Sequence, residues 1–133
     1  MRALAGVVLS AAVALGIAYA VVEVAGDRET LVSPPDAIAE AFYRSIVTRR
    51  FEPAADLLSR RSDADRDALR ALADEIARND GRVTDVAAEI EERSADRARV
   101  TVTLRGERSE EKRDVDLVWE DDAWRVRRLD NGN

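Results

Sequence analysis

The sequence contains no cysteine and no histidine. Without cysteine it has no thiolate nucleophile, no disulfide and no Cys/His zinc site. Without histidine it has no His-based triad and no imidazole proton shuttle near neutral pH. Catalysis would fall to carboxylates, Tyr, Ser or Thr, one Lys and backbone dipoles. Aromatic residues make up only 5% of the 133 positions, a length that fits one domain.

What the chain has in quantity is charge: 21 Lys+Arg and 27 Asp+Glu, for a net charge of −6. From Ala3 to Val22 there is no charged residue, whereas nearly all the charge lies beyond Glu23. As a helix, Ala3–Val22 rises about 30 Å, the thickness of a bilayer's hydrocarbon core. Residues 1–25 therefore read as a transmembrane anchor. A cleaved signal peptide competes, because Arg2 precedes the run and Ala18-Tyr19-Ala20 fits an A-x-A cleavage site. The run exceeds the usual signal core of roughly 7–15 residues, which favours the anchor. No Cys follows it, which excludes a lipoprotein anchor. Positive charge before the run and Asp27 and Glu29 after it place the remainder outside the cytoplasm. The expected location is the cell membrane, single-pass with the domain extracytoplasmic, or secreted or periplasmic after cleavage near Ala20. Ala5, Gly6, Ala12 and Gly16 supply small residues for packing on a partner's membrane helix.

Residues 26–32 read as a polar tether and 33–130 as the domain. Ser33-Pro34-Pro35-Asp36 reads as a helix start capped by Ser33, with Asp36 favoured at the positive helix end. The helix runs to about Thr48 with a wide apolar stripe including Ile38, Phe42 and Ile46, so more than one side is covered. Phe51-Glu52-Pro53 starts a short helix through Ser59. Ser62-Asp63-Ala64-Asp65 starts a third, running to about Arg78 and ended by Gly81.

After Gly81 the apolar period changes from 3.6 to 2. Val86, Ala88 and Ile90 alternate with polar residues; so do Ala98, Val100, Val102 and Leu104, then Val115, Leu117 and Trp119, then Trp124 and Val126. Half-buried antiparallel strands read this way. The fold class is α+β: three helices, then a four-stranded meander with one face on the helices. A two-residue turn at Asp121-Asp122 sets Trp119 opposite Trp124, Leu117 opposite Val126 and, on the outer face, Asp116 opposite Arg127. The high charge falls on the solvent phase of these elements and is not a sign of disorder.

Three stretches carry a resemblance to a family: SPPDAIAEAFYRSIVTRRFEPAADLLS (Ser33–Ser59), ARVTVTL (Ala98–Leu104) and LVWEDDAWRVRRL (Leu117–Leu129). In order and spacing they resemble the nuclear transport factor two-like superfamily, with its cystatin-like cone of long helix and curved sheet. Within it the chain looks most like small bacterial envelope or lipoprotein-like domains. The resemblance implies a first helix lying in the concave side of the sheet. It also brings in enzymes such as ketosteroid isomerases, polyketide cyclases and dehydratases, which work from the cone's mouth with Asp, His or Tyr. This chain has no His for that role.

Phe42, Tyr43, Ile46, Trp119 and Trp124 are the candidates to line a ligand pocket, with Tyr43, Asp85 and Asp116 the only groups suited to acid–base work there. Each has a plainer reading: Tyr43 at the core edge, Asp116 paired with a cross-strand Arg, Asp85 on neither face with certainty. No catalytic residue is assigned. Asp63, Asp65, Asp67 and Asp74 imitate a calcium loop, but Ala68 stands where the turn needs Gly, and acids at a helix start need no metal; no metal or cofactor is expected. Arg97, Arg99, Arg105, Arg125 and Arg127, alternating with Asp114 and Asp116, read first as pairing within the sheet and second as a partner surface. Alternating signs and a negative total argue against nucleic acid. The expectation is a non-enzymatic, membrane-tethered envelope domain that binds a protein partner or small ligand; the alternative is a cone-pocket isomerase or lyase using Tyr and Asp. The sequence sets no oligomeric state.

Overall fold

A computed structural model describes residues 32–129. The apolar run Ala3–Val22 and the tether up to Leu31 lie outside the described residues, as does Asp130. Among the described residues no helix is long and apolar enough to cross a membrane. The chain passes through α1 (Pro35–Val47), α2 (Phe51–Asp56) and α3 (Arg66–Asp80), then β1 (Val83–Arg93), β2 (Arg97–Gly106), β3 (Glu110–Glu120) and β4 (Ala123–Leu129). The strands form one curved antiparallel sheet in the order β1-β2-β3-β4, so the α+β meander is as expected.

α1 starts one step later than the capping pattern suggests. Its N-cap is Pro34, and no side chain caps it, so Ser33 does not serve. Pro35 at N1 has no N–H to satisfy, and its fixed φ suits a helix start, so α1 begins after Pro34 without a side-chain cap. The first helical bond runs from Ile38 N to Pro34 O at 3.1 Å. α1 buries Pro35, Ala39, Phe42, Tyr43 and Ile46 against the sheet and its neighbouring helices, and the Phe42 and Tyr43 rings meet edge to face at 5.5 Å.

α2 is shorter than expected. It stops at Asp56 because Leu57–Ser59 leave the helix to run parallel to β4: Ser59 N donates to Val126 O at 2.7 Å and Val126 N to Leu57 O at 2.8 Å. α3 begins at Arg66 and not at Ser62. The Asp65 side chain accepts from Ala68 N at 2.8 Å and is the true cap, while the Ser62 hydroxyl closes a turn by accepting from Ala64 N. Both Ser62 and Asp65 are good caps by type; the extended backbone at Asp65 decides between them. Gly81 ends α3 at φ 75°, as expected, after the helix has run on to Asp80.

Asp121 and Asp122 have φ of 56° and 64°, the mirror-image turn that matches strand twist. Trp119 stands opposite Trp124 and Leu117 opposite Val126, as expected, but Asp116 pairs with Arg128 and not Arg127. The register shifts after Asp116, leaving Arg127 as the extra residue of a bulge. The inner face is built in rows: Val86–Leu104–Glu111, Ala88–Val102–Arg113, Ile90–Val100–Val115–Leu129, then Ala98–Leu117–Val126 and Trp119–Trp124. Apart from Glu111 and Arg113 these are apolar, and all but the exposed Trp119 form or pack against the core with α1, α2 and α3.

Candidate functional site

The inner face carries two side chains, Glu111 and Arg113, that alternation of apolar residues does not foresee. Arg113 is 1% exposed and lies among Val102, Leu104 and Val115. Its Nε donates to Glu111 Oε1 at 3.0 Å and its Nη2 to Glu75 Oε2 at 3.1 Å, tying β3 to α3. Burial works against the guanidinium's charge, but the Glu111 and Glu75 carboxylates outweigh it, and the net shift is upward. Arg113 stays charged in the core.

Around this ion pair three buried polar atoms lack a hydrogen-bond partner: Tyr43 Oη, Arg113 Nη1 and Asp80 Oδ2. Burial pushes the Tyr43 hydroxyl far above its ordinary pKa, and the Arg113 charge opposes this only in part. Tyr43 is thus a neutral phenol held in the core by α1. Asp80, at the end of α3, is 1% exposed, and its Oδ1 accepts from Ser109 Oγ at 2.5 Å. Burial raises the Glu111 pKa first, and the nearby Asp80 carboxylate raises it further, while Arg113 opposes both.

The sign of the resulting pH dependence follows. A carboxyl whose folded pKa is raised above its ordinary 4.5 contributes stability below that value and loses it as pH rises through the folded pKa. Unfolding free energies of the wild type and Glu111→Gln, measured in urea from pH 4 upward, are expected to differ by an amount that falls with rising pH and then levels. A difference that grows with pH would show that the ion pair with Arg113, not burial, controls Glu111.

The residues read from the sequence as pocket candidates are mostly the core itself. Phe42, Tyr43 and Ile46 are 0% exposed and Trp124 is 3% exposed. Trp119 alone of the five is open, at 37%, packed edge to face on Trp124 with ring centroids 5.5 Å apart. Arg93 stands over the Trp124 ring, 5.5 Å from its centroid. Asp116 faces outward between Arg99 (3.1 Å) and Arg128 (3.7 Å), and Asp85 is exposed on β1.

The arginines of the outer face divide. Arg99 pairs with Asp116 and Arg105 with Glu110, each at 3.1 Å, while Arg125 donates to the Asp56 carbonyl at 2.7 Å. Arg97 and Arg127 join no ion pair among the described residues. Asp65 of the calcium-like pattern is spent as the α3 cap, and Asp74 pairs with Arg49 at 2.7 Å. Among the described residues no three or more acidic side chains converge on a metal position. A surface groove of about 250 Å³ runs between Arg44, Thr48 and Arg50 on one side and Val83–Val86 on the other, outside the cone.

Glu75, Asp80, Glu111 and Arg113 escape a reading based on hydrophobic alternation. The available signal was phase: Glu111 and Arg113 continue the inward series Val115, Leu117, Trp119, and β3 simply begins earlier than its first apolar residue.

No protein-family model matches the sequence, and no curated protein matches it. Among solved structures it is similar to an NTF2-like protein from Campylobacter jejuni, named as a candidate transpeptidase. The two are 17% identical with a TM-score of 0.59, over 71% of this chain and 97% of that one. With the three-helix, four-strand order and a first helix laid into the concave face, that likeness identifies the architecture: the chain has the nuclear transport factor two-like fold.

Proposed function

We propose that this chain is a non-enzymatic, membrane-tethered domain that binds a partner in the cell envelope, with the domain on the extracytoplasmic side. The filled cone carries this reading. Where enzymes of such a fold keep an open pocket, α1 fills the concave face with Phe42, Tyr43 and Ile46, and Trp124 is buried as well. The inward ionisable groups are engaged with one another: Arg113 with Glu111 and Glu75, Asp80 with Ser109. Binding is then the work of the surface. The apolar run Ala3–Val22 supports the tether, and the charge asymmetry around it supports the orientation.

The alternative is acid–base chemistry in the cone. The cluster of Tyr43, Glu111 and Asp80 is the observation in its favour, since a neutral phenol beside a carboxyl of raised pKa suits proton transfer. It would require the core to open to admit substrate. The transpeptidase activity in the similar protein's name would require an activated nucleophile, which without Cys or His would have to be built from Ser, Thr or Tyr.

Protease added to intact cells is expected to digest the domain, and alkaline extraction is expected to leave the full chain in the membrane. A protected domain overturns the orientation; release into the soluble fraction at reduced length favours cleavage near Ala20.

A further inference from the structure

The two edges of the sheet are treated differently. On β4 the outward N–H and C=O of Val126 are taken by Leu57 and Ser59. β1 is the other edge. The β2–β3 hairpin bond from Gly106 N to Ser109 O sets which residues of β2 face which neighbour. Leu104, Val102 and Val100 bond toward β3; Arg105, Thr103 and Thr101 bond toward β1. Their β1 partners are Asp85, Ala87 and Glu89, so Val86, Ala88 and Ile90 turn their backbone groups away from the sheet. Val86 O does so visibly, accepting from Arg44 Nη2 at 3.1 Å. Beyond it, no backbone bond outside the ladder reaches Ala88 or Ile90 among the described residues.

The side chains flanking this free stretch are acidic. Asp85, Glu89, Glu91 and Glu92 are all exposed and join no ion pair among the described residues. The acids of β3 differ: Glu110, Glu111 and Asp116 are paired with arginines, and Asp114 accepts from Thr101. An unpaired edge with unpaired charges of one sign excludes like-charged strands and admits opposite ones.

We propose that the free edge of β1 at Ala88 and Ile90 is a docking site for an extended, basic segment of a partner protein, which adds to the sheet as a further strand. Main-chain bonds to Ala88 and Ile90 hold it. Lys or Arg at alternate positions faces Glu89 and Glu92, and Arg44 marks the lower limit at Val86. A second copy of this chain is a poor occupant. Its own β1 would set acid against acid, and its basic edge strand, β4 with Arg125, Arg127 and Arg128, is closed at Val126. The proposal rests on the reading of the domain as a binding module.

The full chain in neutral detergent serves for the test, with a labelled, end-blocked hexapeptide of alternating arginine and valine and a glutamate–valine counterpart. The arginine peptide is expected to bind at least about tenfold tighter, a difference of about 1.4 kcal/mol, and to slow hydrogen exchange at the Ala88 and Ile90 amides. Ala88→Pro removes an outward N–H while leaving the ladder to β2 intact, a substitution edge strands tolerate. With unchanged thermal unfolding it is expected to weaken binding about tenfold or more. Equal binding by Ala88→Pro, or protection confined to other amides, overturns the edge as the site. An envelope protein captured equally by wild type and Ala88→Pro also overturns the edge and leaves the binding-module reading standing. Absence of both peptide binding and capture removes both.

Discussion

Replacing Arg113 by Met is expected to lower the unfolding free energy by about 3–5 kcal/mol, the range for removing one partner of a buried ion pair. The cost does not come from lost attraction alone. Arg113 is 1% exposed, and the Glu111 side chain that it holds is 17% exposed. Without the guanidinium, Glu111 is left charged in an apolar row between Leu104 and the end of α3, or must take a proton. Glu75 is less affected, because its side chain is 37% exposed and can turn to water. For a domain of about 100 residues each kcal/mol moves Tm by roughly 4–8 °C, so thermal and urea denaturation should register the change easily. The double variant Arg113→Met, Glu111→Leu should recover most of the loss, since a buried pair replaced by apolar side chains of similar volume is often neutral. A single variant within about 1 kcal/mol of wild type would mean that water reaches Arg113 and that the core is not closed around it.

Gly106→Ala should be the next most damaging change, at about 1–3 kcal/mol, the usual range for overpacking. Gly106 ends β2 with no positive φ, so its backbone would accept alanine. The obstacle is space: a Cβ there would stand 2.3 Å from Asp80 O and 2.8 Å from Asp80 Cβ. That carbonyl cannot step aside, because it accepts from Arg108 N at 2.9 Å, and the Arg108 guanidinium holds the Ala77 and Arg78 carbonyls besides. The end of α3 must therefore lift off the hairpin, disturbing the Ser109–Asp80 contact. Urea denaturation should show the loss, and the pH dependence assigned to Glu111 should shrink with it. A neutral Gly106→Ala would mean that α3 can slide on the hairpin at little cost.

Much of this architecture can be read from residue pattern. The change of period after Gly81 locates the boundary between helices and strands, and the two aspartates between Trp119 and Trp124 fix a hairpin whose inner register is correct. The failures are local competitions. Two S-x-x-D sequences each offer a serine cap; the prolines start one helix a residue later with Pro34 at the N-cap, and Asp65 replaces the other serine. One bulged residue on β4 moves the outer pairing from Arg127 to Arg128 while leaving the inner pairing intact. The polar cluster is the deeper omission. Hydrophobic alternation places apolar side chains inward, so a charged residue on the same phase looks like the end of a strand. Only the partners on α3, at Glu75 and Asp80, make Arg113 tolerable inside, and their sequence distance from it gives no local sign of the pairing.

The clasp of Leu57–Ser59 on Val126 also bears on when the domain can form. It joins the second helix to the last strand, just as Arg113 joins α3 to β3 and Gly106 receives the end of α3. A chain emerging from the ribosome makes all three helices before any surface exists to cover them. The meander, made last, can close quickly through its local hairpins, and helix docking must then wait for closure of the long loops. Until the final strand is released the helices have no complete sheet to dock on, so the core closes only after the last strand has emerged.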